Sequence, residues 1–338
     1  MANDKPKPPT LKTIADLTGL SLSTVSLSLR DGSRLKKETR EKIAQAAAEV
    51  GYVPNRAGVR LRTGQTNVLS LVLSPARNTI DYTRQIIEGI GAHLMGTKYH
   101  LNVIPDFQHD TPEDSVRYIL QNRAADGIIL THTSARDPRV QMLMDTGFPF
   151  VSHGRTEFYG AHAFHDFHAE RFVQMAVSRL LDLKRKRFLL VAEDDGTTNF
   201  SKIVGGFHRA LAQSGMTGEV ATETGILVST QTARTFGQAL AGRADPFDAI
   251  ISNNELATLA LMGGLSDSGM VEGRDYSLIC RQTTDILPIL HPGIDTVGED
   301  LSQTGRELAR LLIARVQGAP IETLQTLHEP KPLWRAQA

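Results

Sequence analysis

A chain of 338 residues, 41% of them hydrophobic and with 37 Lys and Arg set against 37 Asp and Glu, is too long for one ordinary domain and carries enough apolar material for real cores. Its single cysteine, Cys280, excludes an intrachain disulfide framework, and no apolar run reaches the roughly 20 residues of a membrane span. The opening MANDKPKPPT has neither an apolar core nor a cleavage site, so residues 1–9 read as a short disordered arm rather than a signal peptide, which sets the expectation of a cytoplasmic protein.

The neutral total conceals an asymmetry. Residues 1–64 hold twelve Lys and Arg against six Asp and Glu, a net of +6, and the remainder therefore carries −6. A cationic head on an acidic body is expected when one end faces phosphate and the other does not. Within the head, Leu11, Ile14, Ala15 and Leu17 fall on one helical stripe. Gly19 breaks that helix, and Ser21 can cap a second one whose apolar face is Leu22, Val25 and Leu29. This is a helix-turn-helix pattern. A third amphipathic helix follows from about Glu38 to Glu49, with Ile43, Ala46, Ala47 and Val50 inward, and Gly51 stops it before Pro54.

The domain organisation read from this pattern is a helix-turn-helix domain over 10–54, a linker over 55–66 and a body over 67–338. The linker, around VPNRAGVRLRTG, has room for a helix of about eight residues, a length marginal alone in water. It carries Arg56, Arg60 and Arg62 around an apolar Leu61, a combination suited to a minor-groove helix with an apolar wedge.

In the body the pattern turns to alternation. Strand-length apolar runs stand at 68–74, 100–107, 126–132, 148–154, 187–193, 247–252, 276–280 and 294–297, and helical stretches lie near 82–97, 112–123, 136–146, 168–182, 200–214, 231–242, 254–268 and 299–317. Apolar strands alternating with amphipathic helices predict parallel sheets covered on both faces. There are too many repeats for one small sheet, so the body is expected to be two α/β lobes with a ligand cleft at the carboxyl ends of the strands.

The segment TLKTIADLTGLSLSTVS from Thr10, the TREK run from Thr39, GYVPNR from Gly51 and LRTG ending at Gly64 resemble, in this order and spacing, the LacI/GalR family of transcriptional regulators, and the resemblance extends over essentially the whole chain. It implies an all-α DNA-binding head on a two-lobed body like that of the type I periplasmic binding proteins. It further implies a dimer or tetramer on a pseudo-palindromic operator and a small effector between the lobes. Carried over by position, base-facing roles fall on Leu22, Ser23 and Leu27. Thr10, Ser21, Thr24, Ser26 and Arg34 would position the backbone, with Leu11 counted alongside them. Asn55 and Arg56 lead into the hinge helix, and Leu61 is its wedge. Core packing is the alternative role for Leu22 and Leu27.

Two departures alter what the resemblance implies. Many members carry Arg where this chain has Leu27, and leucine can only touch a thymine methyl where arginine would grip guanine. Gly58 stands in place of the usual alanine and weakens the hinge helix by about 1 kcal/mol, so its ordering is expected to depend on DNA.

For the effector, the resemblance points to Ser74 and Asn78 after the first strand, Asn253 with Asn254, Gln282, and Glu299, and to Asp81 and Arg155 on the cleft edge. Hydroxyl, amide and carboxylate groups of this kind suit a sugar or polyol. The usual arginine before Gly206-Phe207 is replaced by Ile203, and Cys280-Arg281-Gln282-Thr283 stands where the family has Gly-Tyr-Asp-Asp. Arg281 could take a cationic role, which leaves an acidic or phosphorylated ligand open.

His162, His165 and His168 with Asp166 have the look of a metal box, but AFHDF reads as a strand-to-helix passage, which favours a polar crossover between lobes over a metal site. The Lys184-Arg185-Lys186-Arg187 run precedes a buried strand and reads as a solvated turn. There is no P-loop, no Gly-x-Ser-x-Gly and no His-Glu-x-x-His, and the LVLSPARN turn lacks the glycines of a dinucleotide site. The expectation is a non-enzymatic regulator with no cofactor and no membrane association, acting as a homodimer.

Overall fold

A computed structural model of the chain describes residues 9–31, 35–53, 60, 64–73, 81–105, 111–192, 194–221, 225–227 and 229–335. Arg34, Asn55, Arg56, Gly58, Leu61, Ser74 and Asn78 lie outside the described residues, as does most of the expected hinge helix. The chain divides into two compact units, Met1–Thr66 and Asn67–Ala338.

The first unit contains three helices, α1 (Leu11–Thr18), α2 (Leu22–Asp31) and α3 (Lys37–Glu49). Thr10 and Thr13 form a reciprocal cap: the Thr13 N–H donates to Thr10 Oγ1 at 3.4 Å and the Thr10 N–H to Thr13 Oγ1 at 3.1 Å. Gly19, at φ 67°, ends α1 in the left-handed conformation that glycine adopts without strain. Ser21 Oγ accepts from the Thr24 N–H at 3.1 Å and so starts α2. Ile14, Val25 and Ile43 are fully buried at the centre, with Ala46 and Ala47 beside them and Leu11, Ala15, Leu20 and Leu29 packed around.

One expected core position, Leu17, differs, and Leu22, expected to face bases with core packing as the alternative, is not in the core either. Leu17 and Leu22 are 58% and 52% exposed. At about 100° per residue, Leu11, Ile14, Ala15 and Thr18 share one arc of α1 while Leu17 lies roughly 110° from its centre, and Thr18 takes the buried place instead. Leu22 is the first residue of α2, and helical side chains lean toward the helix N-terminus, which carries this one past the packed region into solvent.

The second unit holds two six-stranded sheets. The first, in lobe 1, is built from β1 (Val68–Leu73), β2 (His100–Pro105), β3 (Gly127–Leu130), β4 (Phe150–His153), β5 (Phe164–Phe167) and β11 (Gln325–His328), in the order β11-β5-β4-β3-β1-β2 and parallel throughout. The second, in lobe 2, comprises β6 (Phe188–Val191), β7 (Gly218–Ala221), β8 (Ala249–Ser252), β9 (Ser277–Gln282), β10 (Asp295–Gly298) and β12 (Lys331–Leu333), in the order β12-β10-β9-β8-β6-β7, with only β12 antiparallel. The two-lobed α/β class expected from the alternation is the fold observed. The additions are a short helix over Ile286–Leu290 and short strands: β7, β11 and β12 read GEVA, QTLH and KPL and carry no apolar run to announce them.

The helices of this unit are α4 (Tyr82–Leu94), α5 (Asp114–Asn122), α6 (Pro138–Thr146), α7 (Ala169–Asp182), α8 (Thr198–Gln213), α9 (Thr230–Ala241), α10 (Glu255–Asp267), α11 (Ile286–Leu290) and α12 (Leu301–Val316). Helices α9 and α10 cross so closely that a Cβ on Gly264 would sit 1.9 Å from the Arg234 carbonyl oxygen. The chain passes between lobes three times. After β5 it enters α7, whose Phe172, Val173, Ala176 and Leu180 join the lobe 2 core with Phe188, Leu190 and Ile251. After β10 it enters α12, whose Leu308, Leu311 and Leu312 pack in lobe 1 with Leu69, Ile86 and Ile90. Between β11 and β12 it returns to lobe 2.

The basic run is a turn. Lys184 has φ 64°, Arg185 donates to Ser277 Oγ at 3.1 Å, and Arg187 pairs with Asp245 and Asp248.

Candidate functional site

Residues that follow the carboxyl ends of β3, β4, β6, β8 and β9 converge on a cleft between the lobes, whose empty volume is about 970 Å³ with its open mouth included. Parallel sheets place ligands here because the connecting loops diverge at the strand ends.

On the lobe 1 wall, Tyr82 opens α4 and sets its Oη 2.5 Å from His153 Nδ1, while the His132 ring lies 5.0 Å from the phenol. Burial pushes the His153 imidazole down to about 3 and His132 down to about 4, and burial also raises the Tyr82 phenol. Both imidazoles are therefore neutral and Tyr82 keeps its proton. Thr133 and Gly154 complete this wall.

Lobe 2 contributes Asp195, Thr197, Asn199, Asn253, Asn254, Glu255, Arg281 and Thr283. Asp195 Oδ1 accepts from the Thr197 N–H at 3.0 Å and from its hydroxyl at 2.6 Å. Asn254 caps α10 by accepting from the Ala257 N–H at 2.9 Å. Glu255 accepts from the N–H and hydroxyl of both Thr283 and Thr284 at 2.8–3.1 Å; burial nonetheless raises its pKa against those bonds.

The crossovers supply Asp166, Phe167 and Leu301. Burial opposes the charge of Asp166, but Lys202 at 2.9 Å and Arg155 at 2.6 Å outweigh it and hold the carboxyl below its usual range. The lobes also touch directly. Thr198 donates its N–H to the Thr133 carbonyl at 3.1 Å and its hydroxyl to the Arg155 carbonyl at 2.7 Å, and Gln85 Nε2 donates to the Thr283 carbonyl at 2.9 Å.

Of the described residues expected at the effector site, Asn253 and Arg281 line the cleft and Asn254 joins them. Asp81, Arg155, Gln282 and Glu299 are not among its described lining residues. Asp81 pairs with Arg84, Arg155 braces Asp166 and Glu170, Gln282 Oε1 accepts from the Thr296 hydroxyl at 2.6 Å, and Glu299 pairs with Arg281 from behind. Tyr82, His132, Thr133, His153, Asp195 and Glu255 are not singled out by the sequence, although most lie at or after a strand end, as Asn253 does.

The histidine run is used within the fold. His162 Nε2 lies 2.8 Å from the Thr156 hydroxyl, His165 Nδ1 2.8 Å from that of Thr326, and His168 Nδ1 accepts from the Arg171 N–H at the start of α7.

In the head, Thr10, Ser21, Leu22 and Ser23 are exposed, and Thr24, Ser26 and Leu27 are half-buried. Leu11 is half-buried against the head core. Leu22 and Leu27 are both absent from that core.

Residues 10–55 match the family described as bacterial regulatory proteins of the lacI family, and residues 177–336 match a periplasmic binding protein-like domain. The HTH-type transcriptional regulator AglR of Rhizobium meliloti is 28% identical over 341 residues, covering 98% of this chain and 92% of its own. CelR of Thermobifida fusca is 25% identical over 334 residues, with 95% and 96% covered. The chain belongs to the LacI/GalR family of transcriptional regulators. Its fold is that of other LacI/GalR structures. A CelR–cellobiose complex superposes with a TM-score of 0.69 at 23% identity, covering 98% of this chain and 100% of that one. A lac repressor dimer bound to operator and the anti-inducer ONPF gives 0.82 at 20% identity, with 98% and 99% covered. LacI/GalR proteins are transcriptional regulators and not enzymes. No helix among the described residues is long and apolar enough to cross a membrane.

Proposed function

We propose that the protein is a homodimeric, sequence-specific repressor whose affinity for a pseudo-palindromic operator is set by a sugar or polyol held between the lobes. The observation that carries the effector class is the composition of the cleft. Asn253, Asp195, Glu255 and the threonines offer donors and acceptors for hydroxyl groups, while the rings of Tyr82, His132 and Phe167 offer faces for the apolar side of a sugar ring. The cellobiose in the related CelR structure supports the same class. For DNA, support comes from the +6 head and from exposed Ser21, Leu22 and Ser23 at the start of α2. The operator-bound lac repressor dimer provides the parallel. Leu22, Ser23 and Leu27 read bases, and Thr10, Leu11, Ser21, Thr24, Ser26 and Arg34 fix the backbone. Asn55, Arg56 and Leu61 order on the minor groove, and effector-driven movement of the lobes makes that ordering cheaper or costlier.

A thermal-shift screen of sugars, polyols and sugar phosphates, followed by operator binding with each hit, tests the reading. Asn253→Ala abolishes the effector response and leaves operator binding intact; a wild-type response in that variant removes the site. The second reading is a co-repressed or activating regulator that responds to an acidic or phosphorylated metabolite. It draws on Arg281 in the cleft lining, and the sign of the operator-binding change decides between repression relieved and repression or activation promoted.

A further inference from the structure

Arg281 is the one cation among the described lining residues of the cleft, and it is not free. Its guanidinium carbon lies 4.5 Å from the centre of the Phe167 ring and its nitrogens pair with Glu299. Phe167 ends β5 and Glu299 follows β10, so Arg281 is clamped to the starts of two crossovers. The Glu299 side chain has no solvent exposure, its Oε1 has no hydrogen-bond partner, and it is not among the described lining residues. A carboxylate buried this completely is costly without a counter-charge, and the guanidinium of Arg281 is the one ion-pair partner it has among the described residues.

The remaining charges on the cleft point the same way. Asp166 is matched by Arg155 and Lys202, while Asp195 and Glu255 are bonded to threonine hydroxyls and backbone N–H groups and have no ion pair among the described residues. An anion entering the cleft would meet a neutralised guanidinium and two carboxylates.

We propose that Glu299 is a specificity determinant that restricts the cleft to uncharged effectors by cancelling Arg281 from behind. Arg281 then serves as a hydrogen-bond donor: guanidinium carries five N–H groups in a fixed plane, and those not turned to Glu299 can reach ligand hydroxyls. The inference rests on the cleft being the effector site, and it assigns Glu299 a role in charge selection rather than ligand contact.

The test uses matched compounds on the full chain: cellobiose with its aldonate cellobionate, and glucose with gluconate and glucose 6-phosphate, each titrated calorimetrically. Wild type binds the neutral member of a matched set at least tenfold more tightly than its acids. In Glu299→Gln, which keeps size and shape, the ratio of acid to neutral affinity rises about tenfold or more, equivalent to about 1.4 kcal/mol. In Arg281→Met/Glu299→Gln that gain disappears. A purely structural Glu299 would weaken both ligands equally and leave the ratio unchanged, which overturns the inference while the cleft stands as the effector site. Tighter binding of the acid by wild type overturns it without any variant, and so decides the matter even where Glu299→Gln does not fold. No binding of any compound by wild type overturns the site and the inference together.

Discussion

Acidification from pH 6 to pH 5 should destabilise this protein through its buried histidines. Burial pushes His132 to about 4, His153 to about 3 and His165 to about 4, whereas in the unfolded chain each titrates near 6.5. Because the folded values lie below the unfolded ones, protons bind the unfolded chain first. The stability is therefore whole above pH 6.5 and is lost as the pH falls from there toward 4. While only the unfolded form is protonated, each of these histidines contributes a slope of about 1.4 kcal/mol per pH unit, so the three together remove about 4 kcal/mol between pH 6 and 5, and His162, which burial also pushes down, acts in the same direction. That is a large share of the 5–15 kcal/mol typical of a folded domain. Asp166 cannot account for it, since Lys202 and Arg155 hold its carboxyl below the usual range. Urea unfolding of the full chain, followed by far-ultraviolet circular dichroism and by the single Trp334, reads the midpoint at pH 7.5, 6 and 5. A midpoint that does not move between pH 7.5 and 5 refutes the reasoning. His165→Gln should lower the slope by about 1 kcal/mol per pH unit.

Three further outcomes are expected. Gly264→Ala forces a Cβ to within 1.9 Å of the Arg234 carbonyl, and since both atoms belong to helix backbones the crossing must open, at a cost of about 3 kcal/mol, measurable as a lowered thermal midpoint. Ser21→Ala removes the acceptor for the Thr24 N–H and costs the head about 1 kcal/mol, seen in the denaturation of the head and in weaker operator binding. Leu27→Arg should shift operator preference toward guanine at the matching step, as read by selection from a randomised site, and operator affinity of both proteins should fall steeply with salt because the head neutralises several phosphates.

The head was largely legible because its three helices bury one face each, and a 3.6-residue period with Thr10, Ser21 and Gly19 at the ends marks those faces directly. Leu17 falls outside the core for want of direction, not of hydrophobicity: a stripe gives membership, while the arc's centre decides burial. In the cleft, the family resemblance pointed to Asn253, which stands at a strand end. It could not separate Arg281 from Gln282, which are adjacent on β9 and so point to opposite faces; one lines the cleft and the other bonds to Thr296. Tyr82, His132 and His153 were invisible because the contact that joins them, such as the Tyr82–His153 hydrogen bond across 71 residues, leaves no local pattern.

The exchange of helices between lobes also governs how the chain can emerge from a ribosome. Strands β1 to β4 are complete by His153, yet the lobe 1 core includes Leu308, Leu311 and Leu312 of a helix that ends at Val316. At about 5–20 residues per second, Leu69, Leu71, Ile86 and Ile90 wait roughly 10–30 s of synthesis for their covering partner. The nascent body thus exposes that apolar face through half of its translation, and a chain truncated before Leu301 leaves it uncovered. The head alone is a contiguous unit that can be transplanted; neither lobe can be, since each is finished by a segment encoded beyond the other.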